Sequence, residues 1–216
     1  MKQKFLNWFL KHVIAYVKPK YTDIMLDIET IGTRPGDSVL AIGAVGFARP
    51  PQKFAKRMWV RLVDWLKLPY PHLTKPFYVT INRSSNVFHG LNEDEETITW
   101  WTTKPEEARV IFDFAERDGT TLPLALIAFR DYFNEFPKGS KLWGCGSEFD
   151  VPILRHAYYH CSMEEPWKFF NLACYRTLKG FYPSRKIIRE GIYHNALDDA
   201  KNQAVHAIWL LNKLGL

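Results

Sequence analysis

Four acidic residues and one histidine are spaced in a way that suits hydrolytic chemistry at a metal site. Asp27 and Glu29 are separated by one residue within an apolar run, so in a β-strand both side chains lie on the same face. Carboxylates that close together raise each other's pKa unless a cation lies between them. The pair therefore indicates a divalent metal site. The alternative is a strand end whose acids face solvent or cap the next turn.

The other three residues of this set lie far along the chain, next to predicted helix starts. Asp150 follows a predicted strand and begins a helix, where an acid can also serve as a simple N-terminal cap. His194 precedes the last predicted helix, and Asp199 lies inside it. Asp199 lies on the closely packed face of this helix, where an acid needs a partner. Asp198 and Asn202 point away from that face. The small-residue face of this helix consists of Ala196, Asp199, Ala200, Gln203 and Ala204.

Together these residues are able to hold two divalent cations and to move a proton. Four carboxylates offer the hard oxygen ligands that Mg²⁺ or Mn²⁺ prefers, and two such ions about 4 Å apart form a clamp for phosphodiester displacement. A histidine with an ordinary pKa of about 6.5 accepts a proton from an attacking water near neutral pH. The set therefore predicts a two-metal hydrolytic site with His194 as the base.

The elements that must position these residues are those of an α/β domain. Apolar runs at residues 21–30 and 38–47 flank Gly32, Pro35 and Gly36, which predicts a β-hairpin. A third strand is expected at residues 57–63 or at residues 77–81. Hydrophobic periodicity predicts helices at 95–101, 105–115 and 123–136, a strand at 141–146, and helices at 150–160, 174–180 and 195–214. This order favours a mixed sheet flanked by helices.

The N-terminal residues 1–21 are predicted to be an extension, and residues 22–216 a single domain. Residues 4–18 show the pattern of a basic amphipathic helix that ends before Pro19. Five lysines and no acid lie in residues 1–22, so most of the net charge of +6 is found there. The favoured role of this helix is docking on the core or on a second protomer. Contact with an anionic membrane surface or with phosphates is the alternative.

Composition excludes several classes of protein. With 47% hydrophobic and 24% charged residues, the chain is neither disordered nor collagen-like. Its three cysteines form no C-x-x-C pair, so neither a disulfide framework nor a zinc site is expected, and a cytoplasmic location fits best. No apolar stretch approaches the roughly 18 to 20 residues of a membrane-spanning helix.

Three motifs carry a family resemblance. Residues 27–30 (Asp-Ile-Glu-Thr), residues 148–150 (Glu-Phe-Asp) and His194 with Asp199 resemble the exonuclease motifs of the DEDD superfamily, in its histidine-bearing, DnaQ-like subset. More narrowly, residues 23–45, 100–133, 142–158 and 195–204 resemble the phage, prophage and mycobacterial branch of single-domain 3′→5′ exonucleases. The resemblance covers about residues 22–214.

This resemblance implies an RNase H-like fold and a 3′→5′ exonuclease that releases nucleoside 5′-monophosphates from single-stranded DNA or RNA. It also implies a homodimer. In the family mechanism Asp27, Glu29 and Asp199 hold the metal ion that activates water. Asp27 bridges to a second metal ion, which Asp150 supports, and His194 is the general base.

Substrate contacts are expected around these motifs. The resemblance places Thr30 and Ile31 against the terminal nucleotide. Several aromatic rings are suited to base stacking, with packing in the core as the alternative. A basic loop is suited to binding phosphates, with simple exposure to solvent as the alternative. These candidates are Trp100, Trp101, Phe149, Arg185, Lys186 and Arg189.

Two features leave other functions open. Glu148 stands where relatives often carry a small or neutral residue, so an extra acid is expected near the metal ions, where it would alter metal preference or substrate fit. An RNase H-like endonuclease also clusters carboxylates but does not need His194. A catalytically silent nucleic-acid-binding module would keep the fold and lose a ligand, and no ligand is missing here.

Overall fold

The computed structural model describes residues 21–48, 73–146, 148–184 and 189–215. Their strands form one five-stranded sheet in the order β3-β2-β1-β4-β5. The strands are β1 (Tyr21–Thr30), β2 (Val39–Ala48), β3 (Leu73–Thr80), β4 (Lys141–Gly144) and β5 (Leu172–Cys174). The first three strands pair antiparallel, while β4 and β5 run parallel to β1. The sheet is therefore mixed, as predicted.

Helices cover both faces of this sheet. They are α1 (Arg83–Phe88), α2 (Glu95–Thr102), α3 (Glu106–Asp118), α4 (Leu122–Asn134), α5 (Asp150–His160), α6 (Tyr175–Gly180) and α7 (Ala196–Leu214). The predicted helices lie within about three residues of these bounds, and the prediction for α5 has the same bounds. The fold is an α/β fold with a mixed sheet flanked by helices, as predicted.

The β1-β2 hairpin places the first acidic pair. Side chains of β1 alternate between two hydrophobic cores: Ile24 and Leu26 pack on the side of α4 and α5, whereas Met25 packs on the side of α7. Because the strand repeat is two residues, Asp27 and Glu29 follow Met25 onto the α7 side. The hairpin therefore aims both carboxylates at the last helix.

The approach of α7 to the sheet depends on small residues on both sides of the contact. Ala200 and Ala204 are completely buried against the sheet. On β2, Gly43 pairs with Asp27, and a Cβ atom at Gly43 would overlap the backbone of Ala196. The first turn of α7 can lie directly over β2 only because residue 43 has no side chain.

Short elements account for most differences from the sequence prediction. Helix α1 and strand β5 were not predicted, because six and three residues are too few to show a periodicity. The predicted strand 141–146 ends at Gly144, since the chain bends at residues 145–146. Of the two candidates for the third strand, residues 77–81 overlap the observed β3. Residues 57–63 and the predicted N-terminal helix lie outside the described residues.

Within the described ranges, no helix combines the length and the apolarity that crossing a bilayer requires.

Candidate active site

Three carboxylates converge at the end of β1. Oxygen atoms of Asp27, Glu29 and Asp199 all lie within 4.8 Å of one another, and we call these residues the carboxylate cluster. Asp199 reaches the pair from the first turn of α7, on the buried face that also carries Gln203. Glu29 and Asp199 are buried, while Asp27 keeps partial access to solvent. Residues 170 positions apart in the chain thus share one acidic site.

Burial and mutual repulsion raise the pKa values of two acids in the carboxylate cluster, Asp27 and Glu29. Desolvation by burial raises the pKa of Asp27 well above its usual range, and the neighbouring carboxylates, with Asp150 first among them, raise it further. The pKa of Glu29 is also raised by burial, and then by Asp199 and Asp150. Three like charges this close are costly without compensation, which a divalent cation would supply.

Gln203 adds an amide to the cluster from one turn further along α7. Its Nε2 donates a hydrogen bond to Oδ1 of Asp27 over 2.7 Å. Its Oε1 is buried and, within the described ranges, accepts no hydrogen bond. An unpaired buried oxygen beside clustered carboxylates suits a hard cation or its water, so this donor set fits Mg²⁺ or Mn²⁺.

Asp150 lies beside the cluster, at the start of α5. Its Oδ2 accepts a hydrogen bond of 2.6 Å from the backbone N–H of Cys145, and a Cβ atom at Gly144 would come within 2.9 Å of the same oxygen. Burial raises the pKa of Asp150 to about 6, although backbone hydrogen bonds from Cys145 and Ile28 oppose the rise. The side chain is therefore held in one position by the turn that follows β4.

His194 lies on the loop that leads into α7, as expected. Its backbone adopts a positive φ of 64°, and its N–H donates to Oδ2 of Asp199 over 3.2 Å. The imidazole packs edge-on against Trp100 and Trp101, with ring centroids 5.0 and 5.9 Å away. Burial lowers the pKa of His194; Asp199 opposes this, and Lys104 and Arg189 add to it. The ring is therefore neutral near pH 7.

Arg189 contacts the carboxylate cluster directly. Its Nη1 donates to Oδ1 of Asp199, and its guanidinium lies 4.3 Å from the ring centre of Tyr193. The sequence predicts that Arg189 lies in a basic loop that binds phosphates or is exposed to solvent. It does not predict the contact with Asp199. The other two basic residues of that loop, Arg185 and Lys186, lie outside the described residues.

These groups open into one pocket of about 560 Å³, which we call the site pocket. Of the predicted substrate contacts, Thr30, Trp100, Trp101, Phe149 and Arg189 line it. Ile31 does not, because its side chain is completely buried in a core cluster that includes Trp101.

The two tryptophans of α2 play different structural parts. Trp101 is 2% exposed, and its Nε1 donates to the backbone oxygen of Thr30 over 2.9 Å. Trp100 is 42% exposed, and Nζ of Lys104 lies 3.8 Å from its ring centre. Trp101 therefore fixes the end of β1, while Trp100 presents a ring to the site pocket.

Glu148 does not lie in the site pocket, near the metal ligands, where the sequence analysis expects it. It is exposed and lines a neighbouring cavity together with Arg176, and it does not line the site pocket. Arg176 borders both spaces, and the sequence analysis did not single it out. Gln203 was noted only as a member of the small-residue face; its polar side chain on that face was the signal for a partner of Asp27.

The overall fold is similar to that of a solved nuclease. The structure described as the nuclease domain of 3′hExo, a DEDDh family member, bound to rAMP has a TM-score of 0.51 and 15% sequence identity, over 90% of this chain and 94% of that chain. Cell-death related nuclease 4 (CRN-4) has a TM-score of 0.47 and 12% identity, over 89% of this chain and 65% of that chain. At these identities the likeness concerns the fold alone. No curated protein matches the chain.

A family model settles the relationship. The model of the Rv2179c-like 3′-5′ exoribonuclease domain matches residues 22–210, which include the carboxylate cluster, Asp150 and His194. Because the match spans most of the sequence, the chain belongs to the Rv2179c-like 3′-5′ exoribonuclease domain family and is a 3′-5′ exonuclease with the fold of the DEDDh nucleases.

Proposed function

We propose that the protein removes nucleoside 5′-monophosphates one at a time from the 3′ end of single-stranded nucleic acid, with two divalent cations in the site and His194 as general base. The observation that carries this proposal is the convergence of Asp27, Glu29 and Asp199 within 4.8 Å, in the same pocket as His194. The description of the family names RNA, so RNA is the substrate class we propose first.

The carboxylates divide into two sets of ligands. Asp27, Glu29 and Asp199 would hold one cation, and Asp27 with Asp150 would hold the second. Mg²⁺ and Mn²⁺ both suit an all-carboxylate set of this kind. When bound, such cations supply an activated water and neutralise the charge that develops on the leaving oxygen. Gln203 keeps Asp27 oriented through its 2.7 Å hydrogen bond.

His194 moves the proton. Burial lowers its pKa, so the imidazole is neutral at neutral pH and able to accept the proton of the attacking water. The edge-on contacts with Trp100 and Trp101 limit rotation of the ring. The hydrogen bond from its backbone to Asp199 ties the base to the carboxylate cluster.

The terminal nucleotide occupies the side of the site pocket formed by β1 and α2. Trp100 offers an exposed aromatic face, and stacking of a base on such a face is worth about 1 to 3 kcal/mol. Thr30 lines the same wall, and its hydroxyl is already engaged with the backbone oxygen of Gly32. We therefore assign base stacking to Trp100 and a supporting role to Trp101.

The test is a time course with 5′-labelled RNA and DNA oligomers, single-stranded and duplex, in Mg²⁺, Mn²⁺ or EDTA. Asp199→Asn is compared with Asp131→Asn, which removes the same charge at an exposed position of α4. We expect a ladder that shortens from the 3′ end, abolished by EDTA and by Asp199→Asn but retained in Asp131→Asn. Internal cuts, or digestion that survives chelation, would contradict the proposal.

A further inference from the structure

A second cavity borders the site pocket. It has a volume of about 390 Å³, within the range of roughly 300 to 1,000 Å³ typical of small-molecule sites, and we call it the side cavity. Two of its lining residues, Phe149 and Arg176, also line the site pocket, so the two spaces meet there. The side cavity is lined by Gly146, Glu148, Phe149, Cys174, Arg176 and Thr177.

The sheet order places the two walls of the site on opposite sides of β1. Trp100 belongs to α2. The next residue of α2, Trp101, packs against Phe112 of α3, and α3 contacts β2 and β3. Phe149 and Arg176 instead follow β4 and β5, on the other side of β1. The carboxylate cluster, carried by β1, therefore lies between the Trp100 wall and the side cavity.

The polarity of the proposed reaction requires binding space on both sides of the cluster. The released nucleotide keeps its 5′ phosphate, so the bond that breaks joins this phosphorus to the 3′ oxygen of the penultimate nucleotide. With the terminal nucleotide against Trp100, the penultimate nucleotide must extend past the carboxylates in the other direction. That direction leads to Phe149, Arg176 and the side cavity.

Arg176 has the chemistry of a phosphate ligand. It is exposed and, across the described ranges, forms no salt bridge, although its charge opposes the burial-driven rise in the pKa of Asp150 and its side chain contacts Cys145; Arg189, in contrast, is engaged by Asp199. Its Cζ lies 3.5 Å from the place where a Cβ atom of Gly146 would stand, an ordinary van der Waals distance, so the guanidinium of Arg176 packs beside the backbone at residue 146. A guanidinium can donate two parallel hydrogen bonds to a phosphate.

We propose that the side cavity is the subsite of the penultimate nucleotide, in which Arg176 binds the phosphate on its 5′ side and Phe149 lies against its base. This inference rests on the proposed exonuclease function. Glu148 lines the same cavity, and its negative charge disfavours a phosphate at that end, which directs the phosphate to Arg176. In this proposal Glu148 affects substrate binding and not the choice of metal ion.

A pair of dinucleotides isolates this contact. The dinucleotide pNpN carries the phosphate assigned to Arg176, whereas NpN begins with a 5′ hydroxyl and lacks it. We expect the wild-type enzyme to show a kcat/KM about tenfold higher for pNpN, as one charge-assisted contact at an exposed site predicts. Arg176→Ala should reduce this ratio to about one, because the ratio reports the contact with the 5′ phosphate separately from any change that the lost charge causes at Asp150. Arg176→Lys should keep part of the preference.

The matched control is Lys179→Ala, which removes one positive charge from the same helix, outside both spaces, and should keep the tenfold ratio. The p-nitrophenyl ester of thymidine 5′-monophosphate has no penultimate nucleotide, so its kcat/KM in Arg176→Ala measures the effect of the lost charge on the carboxylates alone, and Lys179→Ala should cleave it like the wild type. An equal loss on pNpN and NpN in Arg176→Ala, or a wild-type ratio near one, would overturn the subsite. A wild-type enzyme that cleaves neither dinucleotide nor ester would instead overturn the proposed function.

Discussion

The backbone N–H of His194 donates a hydrogen bond to Oδ2 of Asp199 over 3.2 Å. The candidate base and a candidate metal ligand are thereby joined through the start of one helix. His194 has a positive φ, which only a few non-glycine residues adopt, and this conformation turns its ring towards Trp100 and Trp101. A position defined this closely suits a group whose task is proton transfer at a fixed point.

Replacing His194 should remove proton transfer and little else. We expect His194→Asn to lower kcat by roughly 10²- to 10⁴-fold, and asparagine tolerates the positive φ. Binding of Mn²⁺, measured by calorimetry, should be unchanged. His156→Asn, at an exposed position of α5, is the control and should be fully active. Unchanged turnover in His194→Asn would favour an endonuclease-like mechanism without a histidine base.

The dependence of kcat/KM on pH should reflect the pKa of His194. The base must be unprotonated, so activity rises with pH through its pKa. Because burial lowers the pKa of His194 below 6.5, the acidic limb of kcat/KM should have its midpoint below pH 6.5. The measurement is initial rate against pH at saturating Mg²⁺. A midpoint above 6.5, or an unaltered limb in His194→Asn, would argue against His194 as the base.

The stability of the metal-free protein should depend on the protonation of Asp150. Its pKa is near 4 in the unfolded chain and about 6 in the folded protein. The folded state therefore binds the proton more tightly, and this stabilisation is lost as pH rises from about 4 to 6. The loss is on the order of 3 kcal/mol. Urea unfolding in EDTA should show this loss in the wild type and in Asp131→Asn, and a smaller loss in Asp150→Asn, in which Asp27 and Glu29, whose pKa values burial also raises, still contribute.

The two tryptophans should respond differently to truncation. Trp100→Ala should raise KM by between about five- and a hundredfold with little change in stability, because an exposed stacking surface is lost. Trp101→Ala should lower the free energy of unfolding by about 3 to 5 kcal/mol, because a buried ring is removed. Steady-state kinetics and urea unfolding separate the two effects. The reverse pattern would show that Trp100 is structural.

A single methyl group should be enough to separate the carboxylates. In Gly43→Ala the added Cβ overlaps the backbone of Ala196, so α7 must move away from β2 and carry Asp199 from Asp27. We expect reduced stability and reduced affinity for Mn²⁺. Gly180→Ala is the matched control, since nothing lies within 4 Å of its added Cβ. Full metal affinity in Gly43→Ala would mean that the site tolerates a displaced helix.

Much of the fold was accessible from local pattern. The hairpin, the strand at β4 and the helices α2 to α7 follow from apolar periodicity and from glycine and proline in the turns, because these signals act within a few residues. The small-residue face of α7 was also readable, and the structure confirms that Ala200, Gln203 and Ala204 on it are buried. The short elements α1 and β5 were missed because they depend on tertiary contacts.

The sequence by itself determined which carboxylates and which histidine are available, and that Asp27 and Glu29 share a face, because the two-residue repeat of a strand is a local property. The tertiary structure alone decided that Asp199 meets them, that Arg189 contacts Asp199, that Ile31 is buried and that Glu148 faces a different cavity from the one expected. The meeting of Asp199 with Asp27 depends on the close approach of α7 to β2, which the missing side chain of Gly43 allows, and packing distances between remote segments leave no periodic signal in a sequence.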